Sequence, residues 1–463
     1  MGEKVYVPNF KTSIFIFRRD LRLSDNTGLL EALNKSESVL PCFIFDPRQI
    51  GDHDYKSSNA LEFMVQSLQD LGAQLQKKGA DLYIFHGEAH TVLEKLIKEV
   101  KADAVFVNRD YTPFSIHRDY ALADLCRQHK VFFSQSADCL LNEPESITKK
   151  DGGVYTVFTP FFKKALSVDI RPPQKNTHKH YLTKKISFHK TRLLDALISK
   201  KNHELALKGG RQEGLKILKA LKDYRKYDEQ RDIPSLKGTT GLSPHHKFGT
   251  VSIREVYHAV KTILGKDHSL IREIFWRDFF THIGFHYPQV LGAAFQEKYN
   301  RLKWVNDPKL FQAWCEGKTG FPLVDAGMRE LNTTGFMHNR VRMVTASFLV
   351  KDLHIDWRWG EKYFAQKLID YDPLVNNGNW QWAASTGCDA QPYFRIFNPW
   401  RQQERFDPQC LYIKKWIPEL KDIDPKVLHK LEKSPLTLKN YPQPVVDHKT
   451  EAEKSKKSYK ILK

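Results

Sequence analysis

The feature that most constrains this chain is a change of hydrophobic period near residue 140. From Thr12 to about Ser136, apolar runs of strand length alternate with helical stretches. SIFIF (13–17), VLPCFIF (39–45), DLYIFHG (81–87), AVFVNRD (104–110) and VFFSQ (131–135) predict buried parallel strands, since a strand covered on both faces is apolar along its whole length. Between them, stretches such as ALEFMVQSLQDLGAQLQKKG (60–79) and HTVLEKLIKEVKA (90–102) carry the helical period. Strict alternation of this kind implies an α/β domain with a doubly wound, Rossmann-like parallel sheet over residues 1–140. FRRDLRLSDN follows the first strand where a G-x-G-x-x-G turn would stand, which argues against a nicotinamide dinucleotide site of the usual kind.

Beyond Leu140 the strand signal fades. Residues 141–205 carry prolines, lysines and histidines and are expected to run over the surface as an interdomain linker. Helical periodicity then dominates to about Leu436, so 206–447 is expected to be an all-helical domain. Residues 448–463, rich in lysine, are expected to form a flexible basic tail. A length of 463 residues agrees with two domains. No apolar run approaches the ~20 residues of a membrane-spanning helix, and the N-terminus lacks a signal-peptide layout. The six cysteines are scattered without a C-x-x-C pair, which predicts reduced thiols in a reducing compartment and argues against a zinc ribbon or disulfide scaffold; a cytoplasmic, monomeric protein without a metal is expected. The net charge of +19 suits either a polyanionic partner such as nucleic acid or a lysine-solubilised surface.

Several segments of the helical half could carry chemistry. On SLIREIFWRDFF, the spacing places Glu273, Trp276, Arg277 and Phe280 on one stripe, which suits a polar aromatic ligand or, more blandly, an amphipathic helix with a core tryptophan. In HNRVRMVTASFLV, Asn339 and Met343 share a face while Arg340 and Arg342 diverge. Two arginines at a helix start oppose its dipole unless phosphates or carboxylates meet them. GTTGLSPHHKFG can offer backbone N–H groups to a phosphate, or be a plain capping loop, and its His245–His246 pair could meet DNA or water. Asp370 and Asp372 are spaced to reach sugar hydroxyls, or to cap a helix and pair with arginine. His282 and His286 lie four apart on a helix, but no third metal ligand follows. NNGNWQWAASTG (376–387) puts two indoles two residues apart, pointing about 200° from each other on a helix.

Taken together, FRRDLRLSDN, YDEQRDIPSLKGTTGLSPHHKFG, EIFWRDFF, AWCEGKTGFPLVDAGMREL, GFMHNRVRMVTASFLVKDLHIDWR and NNGNWQWAASTGCDAQPYFRIFNP resemble the photolyase/cryptochrome family in order and spacing, most closely the class I cyclobutane pyrimidine dimer (CPD) photolyases. The resemblance implies FAD in the helical domain. It would be held by Tyr227, Thr239, Thr240, Gly241, Leu242 and Ser243, and surrounded by Arg277, Arg342, Asp370, Asp372 and Asn376. An Arg342–Asp370 ion pair would lie beside the flavin ring and Asn376 at its N5 edge. It implies light-driven electron transfer from reduced FAD to a dimer in UV-damaged DNA, with the dimer flipped into a pocket of Glu273, Trp276, Asn339, Arg340, Met343 and Trp382. Arg231, Arg340, Arg395, Arg401 and Gln402 match positions that grip the strand. Trp380, Trp357 and Trp304 match the family's electron relay from flavin to surface.

Within the family, members acting on the (6–4) photoproduct carry histidines where Asn339 and Met343 stand, so the resemblance favours CPD repair. The alternative is a blue-light photoreceptor, although Asn376 stands where animal cryptochromes often have Cys and plant ones Asp. For the antenna chromophore, NRDYTPFSIHRD (108–119) lacks the Asn-Glu pair of folate-binding members and resembles those that bind a deazaflavin or a second flavin. Cys42, Phe43, Asp46, Arg48, Asp110 and Tyr111 are the candidate contacts.

Overall fold

Apolar strands that bury both faces must be covered on both sides, and the computed structural model shows this arrangement. It describes residues 9–190, 192–198, 200–392, 394–432, 438 and 440–462. Strands β1 (Phe10–Phe17), β2 (Ser36–Phe45), β3 (Tyr83–His86), β4 (Ala104–Asn108) and β5 (Phe132–Ser136) form one parallel sheet in the order β3-β2-β1-β4-β5. Alternate residues feed two cores: Phe15, Phe17 and Phe43 on one face, Ile14, Ile16 and Cys42 on the other. β1 and β2 begin earlier than their apolar runs, with Phe10 in register with Ser36, and the Ser13 and Ser36 hydroxyls meet at 2.6 Å inside the sheet. The last strand departs from expectation: β5 is a partly exposed edge, with Phe132 46% exposed.

The strand order reverses between β1 and β4, where doubly wound folds usually bind their ligand. Here side chains fill that crevice. Asn108, at the end of β4, donates to Asp20 (2.5 Å) and Asn26 (2.7 Å) and accepts from the Gly28 amide (2.9 Å). The FRRDLRLSDN segment then reaches out to the helical domain. Arg22 grips Asp138 with both carboxylate oxygens (2.8 and 2.7 Å), while Arg254 donates to Asp25 and to Asp138, each at 2.8 Å. All four are buried, so this is an ion network locking one domain to the other.

Two expectations about organisation need correction. Residues 141–205 are more than a linker: the helix Phe158–Leu166 packs into the helical core beside the Ser269–His286 helix, and Tyr181 bridges to Val39 at the sheet edge. Aromatic residues at 158, 161 and 162 supply the apolar face that the lysine-rich surroundings hide. Residues 448–460 are not a flexible tail but a docked helix, His448–Lys460. His448 meets Asp352 at 2.5 Å, the Tyr459 hydroxyl donates to the Ala384 carbonyl at 2.5 Å, and the buried Lys351 ammonium lies 3.7 Å from the Tyr459 ring centre. The end of the helical stretch expected near Leu436 lies outside the described residues. Among the described residues the six cysteines are free thiols, and no helix is long and apolar enough to cross a membrane.

Candidate functional site

A cavity of about 550 Å³ opens in the helical domain. One wall is the loop 239–243, bent by Gly241 at φ +67°, a left-handed geometry that glycine adopts without cost. A second is the Ser269–His286 helix, which presents Glu273, Trp276, Arg277 and Phe280, the whole predicted stripe. The Asn339–Lys351 helix contributes Asn339, Arg340, Arg342 and Met343. The Pro373–Ala384 helix, started by Pro373 and capped by Asp372, contributes Asn376, Trp380 and Trp382. Tyr227, Arg231, Thr239, Thr240, Leu242, Ser243, Asp370 and Asp372 complete the set of expected residues on this one cavity.

Charge on the walls is paired. Arg342 holds Asp370 through two bonds of 3.2 and 3.0 Å, and Ser243 donates to the same carboxylate at 2.6 Å. Arg340 turns the other way to Asp232 (2.8 Å) and lies 4.4 Å from the Phe406 ring centre. Thus carboxylates meet both arginines at this helix start. Asp372 caps its helix through Leu374 and Val375 and pairs with Arg19 of the α/β domain, so it does what a capping, arginine-paired aspartate does while still lining the cavity. Arg231 contacts Glu273 at 2.7 Å; burial pushes the Glu273 carboxyl up from its ordinary value and Arg231 opposes the shift.

The aromatic walls are rigid. Trp276 lies flat on Phe158, with ring centres 3.6 Å apart and planes 5° apart. Asn339 touches Met343, with its amide nitrogen 3.9 Å from the sulfur. Trp380 is buried edge-on to Phe364 (4.9 Å) and Trp314 (6.2 Å), whereas Trp382 stays partly buried. Trp357 is buried in the same core and Trp304 packs half-buried against it, so one core holds all three expected relay tryptophans.

Other expected residues lie elsewhere. Arg395 is exposed and bonds Gln391; exposed Arg401 and half-buried Gln402 sit on the Pro399–Phe406 helix beside Arg340. His245 cannot meet DNA, because it is buried and bonded to Thr250 at 2.7 Å, and burial pushes it down to about 4. His282 and His286 both lean on the Pro144 carbonyl at 3.2 Å. The six antenna candidates sit on β2, just after it, and just after β4. Cys42 and Phe43 point into opposite cores, Asp46 caps a short helix and pairs with Arg48, Asp110 is held by Arg19, and buried Tyr111 donates to Glu143 at 2.6 Å. The domain interface thus claims Asp110 and Tyr111.

Sequence reasoning missed Arg19, Lys247 and Glu361, and it offered His246 to DNA or water rather than to this cavity. His246 and Lys247 stand in the GTTGLSPHHKFG loop already singled out and line the cavity; burial pushes the Lys247 ammonium down to about 8. Glu361 is 5% exposed and accepts from the Asn376 amide at 2.9 Å.

These walls fit FAD. The volume lies in the range of cofactor sites, the cations Arg277 and Lys247 suit a diphosphate, and His246 Nε2 is buried on the wall without a partner. Comparison with known proteins agrees. Residues 270–461 match the FAD binding domain of DNA photolyase, and residues 13–178 match the DNA photolyase domain. Among curated relatives, the deoxyribodipyrimidine photo-lyase of Agrobacterium fabrum is 38% identical, with 96% of this chain and 97% of that protein aligned. The corresponding Escherichia coli protein is 36% identical, with 95% and 96% aligned. Among solved structures, an archaeal photolyase from Sulfolobus tokodaii with two FAD molecules has a TM-score of 0.89 at 43% identity, covering 97% of this chain and all of that one. A Synechocystis cryptochrome has a TM-score of 0.88 at 30% identity, covering 98% of this chain and all of that one. The chain therefore belongs to the photolyase/cryptochrome family, with a DNA photolyase domain and an FAD-binding domain.

Proposed function

We propose that this photolyase repairs cyclobutane pyrimidine dimers in UV-damaged DNA under blue or near-UV light. The observation that carries this reading is that one cavity is lined both by Glu273, Trp276 and Met343 and by Arg342, Asp370 and Asn376. Lesion and cofactor would share a single chamber.

Bound FAD, in its reduced form, supplies the photoexcited electron donor. The two carbon–carbon bridges of the dimer open with no net oxidation, so the residues are asked to bind, orient and exclude water rather than to move protons. Trp276, held flat by Phe158, and Trp382 offer apolar faces to a flipped-out dimer, and the poor stacking of a fused dimer lowers the cost of extrusion. Glu273 and Asn339 bond the pyrimidine edges. Arg231, Arg340, Arg395, Arg401 and Gln402 meet the strand and give the positive charge a use. Asn339 and Met343, neither of which titrates near neutrality, favour the CPD over the (6–4) lesion. Arg277, Asp372 and the 239–243 loop hold the cofactor with Tyr227, and Trp380, Trp357 and Trp304 restore its reduced state by relaying electrons from the surface. A second flavin or a deazaflavin as antenna is supported by the two FAD molecules of the Sulfolobus relative. One chain supplies every wall, so the reading needs no second copy and takes the protein to act as a monomer.

The test is direct. Protein loaded with reduced FAD is mixed with an oligonucleotide bearing one thymine dimer and illuminated, and the products are separated by chromatography. Intact thymines formed only in the light support the reading. A fully reduced, DNA-binding sample that returns the dimer unchanged overturns it in favour of a photoreceptor.

A further inference from the structure

Asn376 lines the cavity, yet its amide nitrogen faces away, donating to the Glu361 backbone carbonyl (3.1 Å) and to the Glu361 carboxylate (2.9 Å). A backbone carbonyl can only accept, so the nitrogen must face Glu361 and Oδ1 is the atom left for the cavity. The Glu361 carboxylate takes a further hydrogen bond from Tyr55. Tyr55 belongs to the α/β domain, is 37% exposed, and stacks on Tyr371 at 6.2 Å. Its segment is pinned along the Trp357–Lys367 helix: Asp54 pairs with Lys362 at 2.5 Å, Gln366 donates to the Asp54 carbonyl at 2.9 Å, and Asn59 donates to the Lys367 carbonyl at 2.8 Å. A chain of hydrogen bonds therefore runs from the surface of one domain to the cavity wall of the other.

We propose that Tyr55 and Glu361 are positioning residues that fix the Asn376 amide with its oxygen toward the flavin, so that the site prefers the reduced cofactor. The inference rests on the reading that Asn376 meets the N5 edge. Reduced flavin carries a hydrogen on N5 and needs an acceptor there, whereas oxidised flavin presents a lone pair and needs a donor. Burial pushes the Glu361 carboxyl up to about 7, with the bonds from Asn376 and Tyr55 opposing. Without the Tyr55 bond the Glu361 side chain is free to swing away, and the backbone carbonyl alone is left to hold the amide nitrogen. Tyr55 also stacks on Tyr371, which lines the cavity, so the Asn376→Leu background is what separates the two routes.

The experiment measures the two-electron midpoint potential of the FAD-loaded protein, and the affinity of the apoprotein for oxidised FAD, in a double-mutant cycle. Tyr55→Phe is expected to weaken the preference for the reduced form about fivefold, the effect of one hydrogen bond, or about 20 mV for a two-electron couple. In an Asn376→Leu background the same substitution is expected to change nothing. Glu361→Gln is the second variant, and its effect must likewise vanish in that background. A shift that persists at full size without Asn376 means action through charge alone and overturns the proposal. No shift from Tyr55→Phe or Glu361→Gln, while Asn376→Leu alone moves the potential, also overturns it but spares the flavin-edge reading. If Asn376→Leu itself leaves the potential unmoved, the flavin-edge reading fails, and this inference with it.

Discussion

Replacing Arg254 with leucine tests whether the buried ion network holds the two domains together. The guanidinium donates to Asp25 and Asp138 at 2.8 Å each, and to the backbone carbonyls of Asp25 (2.9 Å) and Asp138 (3.1 Å). Arg254 is 5% exposed and the two aspartates 1% or less. Removing one partner from a buried pair costs about 3–5 kcal/mol. Because Asp138 keeps Arg22, and Asp25 keeps Arg171 and Ser252, the low end applies, about 3 kcal/mol. At roughly 2 °C per kcal/mol for a chain of this size, the unfolding midpoint should fall by about 6 °C. The assay is thermal unfolding by circular dichroism at a fixed scan rate and several pH values. Burial raises the Asp138 carboxyl, but Arg22 and Arg254 outweigh it and hold the group down to about 2; the arginines likewise leave Asp25 lowered. A depressed carboxyl stabilises the folded state above its ordinary titration range and loses that contribution as pH falls toward its folded value. The native protein should thus weaken between about pH 4 and pH 2, and the variant, whose aspartates are less depressed, should lose less over that range. A midpoint within about 1 °C of the native one, with the same acid dependence, would refute the reasoning.

Other substitutions probe the cavity and its surroundings. Trp276→Ala is expected to reduce discrimination of dimer-bearing over intact DNA by roughly 10- to 100-fold, the worth of one base-stacking contact, while FAD stays bound; loss of FAD would make the tryptophan structural. Trp304→Phe should slow photoreduction of oxidised flavin and spare repair by prereduced enzyme, as followed by the flavin absorption bands. Unchanged photoreduction would remove Trp304 from the relay. Truncation after Asp447 exposes Lys351 and removes the Tyr459 and His448 bonds, so the unfolding midpoint should fall by several degrees. A mobile tail would leave it unchanged.

Local patterns were legible where they rest on spacing. The helical stripe Glu273–Phe280 and the shared face of Asn339 and Met343 came from helical geometry, and the cavity uses both. Strand positions were legible because both faces of β1, β2 and β4 are buried; β5 was misjudged because an apolar run does not say whether a neighbour covers it. The terminal helix was hidden because its buried side consists of His448, Ala452, Ser455 and Tyr459, small or polar residues among lysines. Pairings that exist only after folding left no local trace: Arg19 with Asp372, Phe158 beneath Trp276, and Glu361 behind Asn376. Those contacts fix how side chains are aimed, which spacing alone does not encode.

The central claim is that one cavity brings the reduced flavin and the dimer within electron-transfer reach. The fluorescence lifetime of protein-bound reduced flavin tests it most directly, measured alone, with undamaged DNA, and with DNA carrying a single thymine dimer. Marked shortening with the dimer, none with undamaged DNA, and a weakened effect in Trp276→Ala are the predicted results. A lifetime unaltered by saturating dimer-bearing DNA would contradict the account.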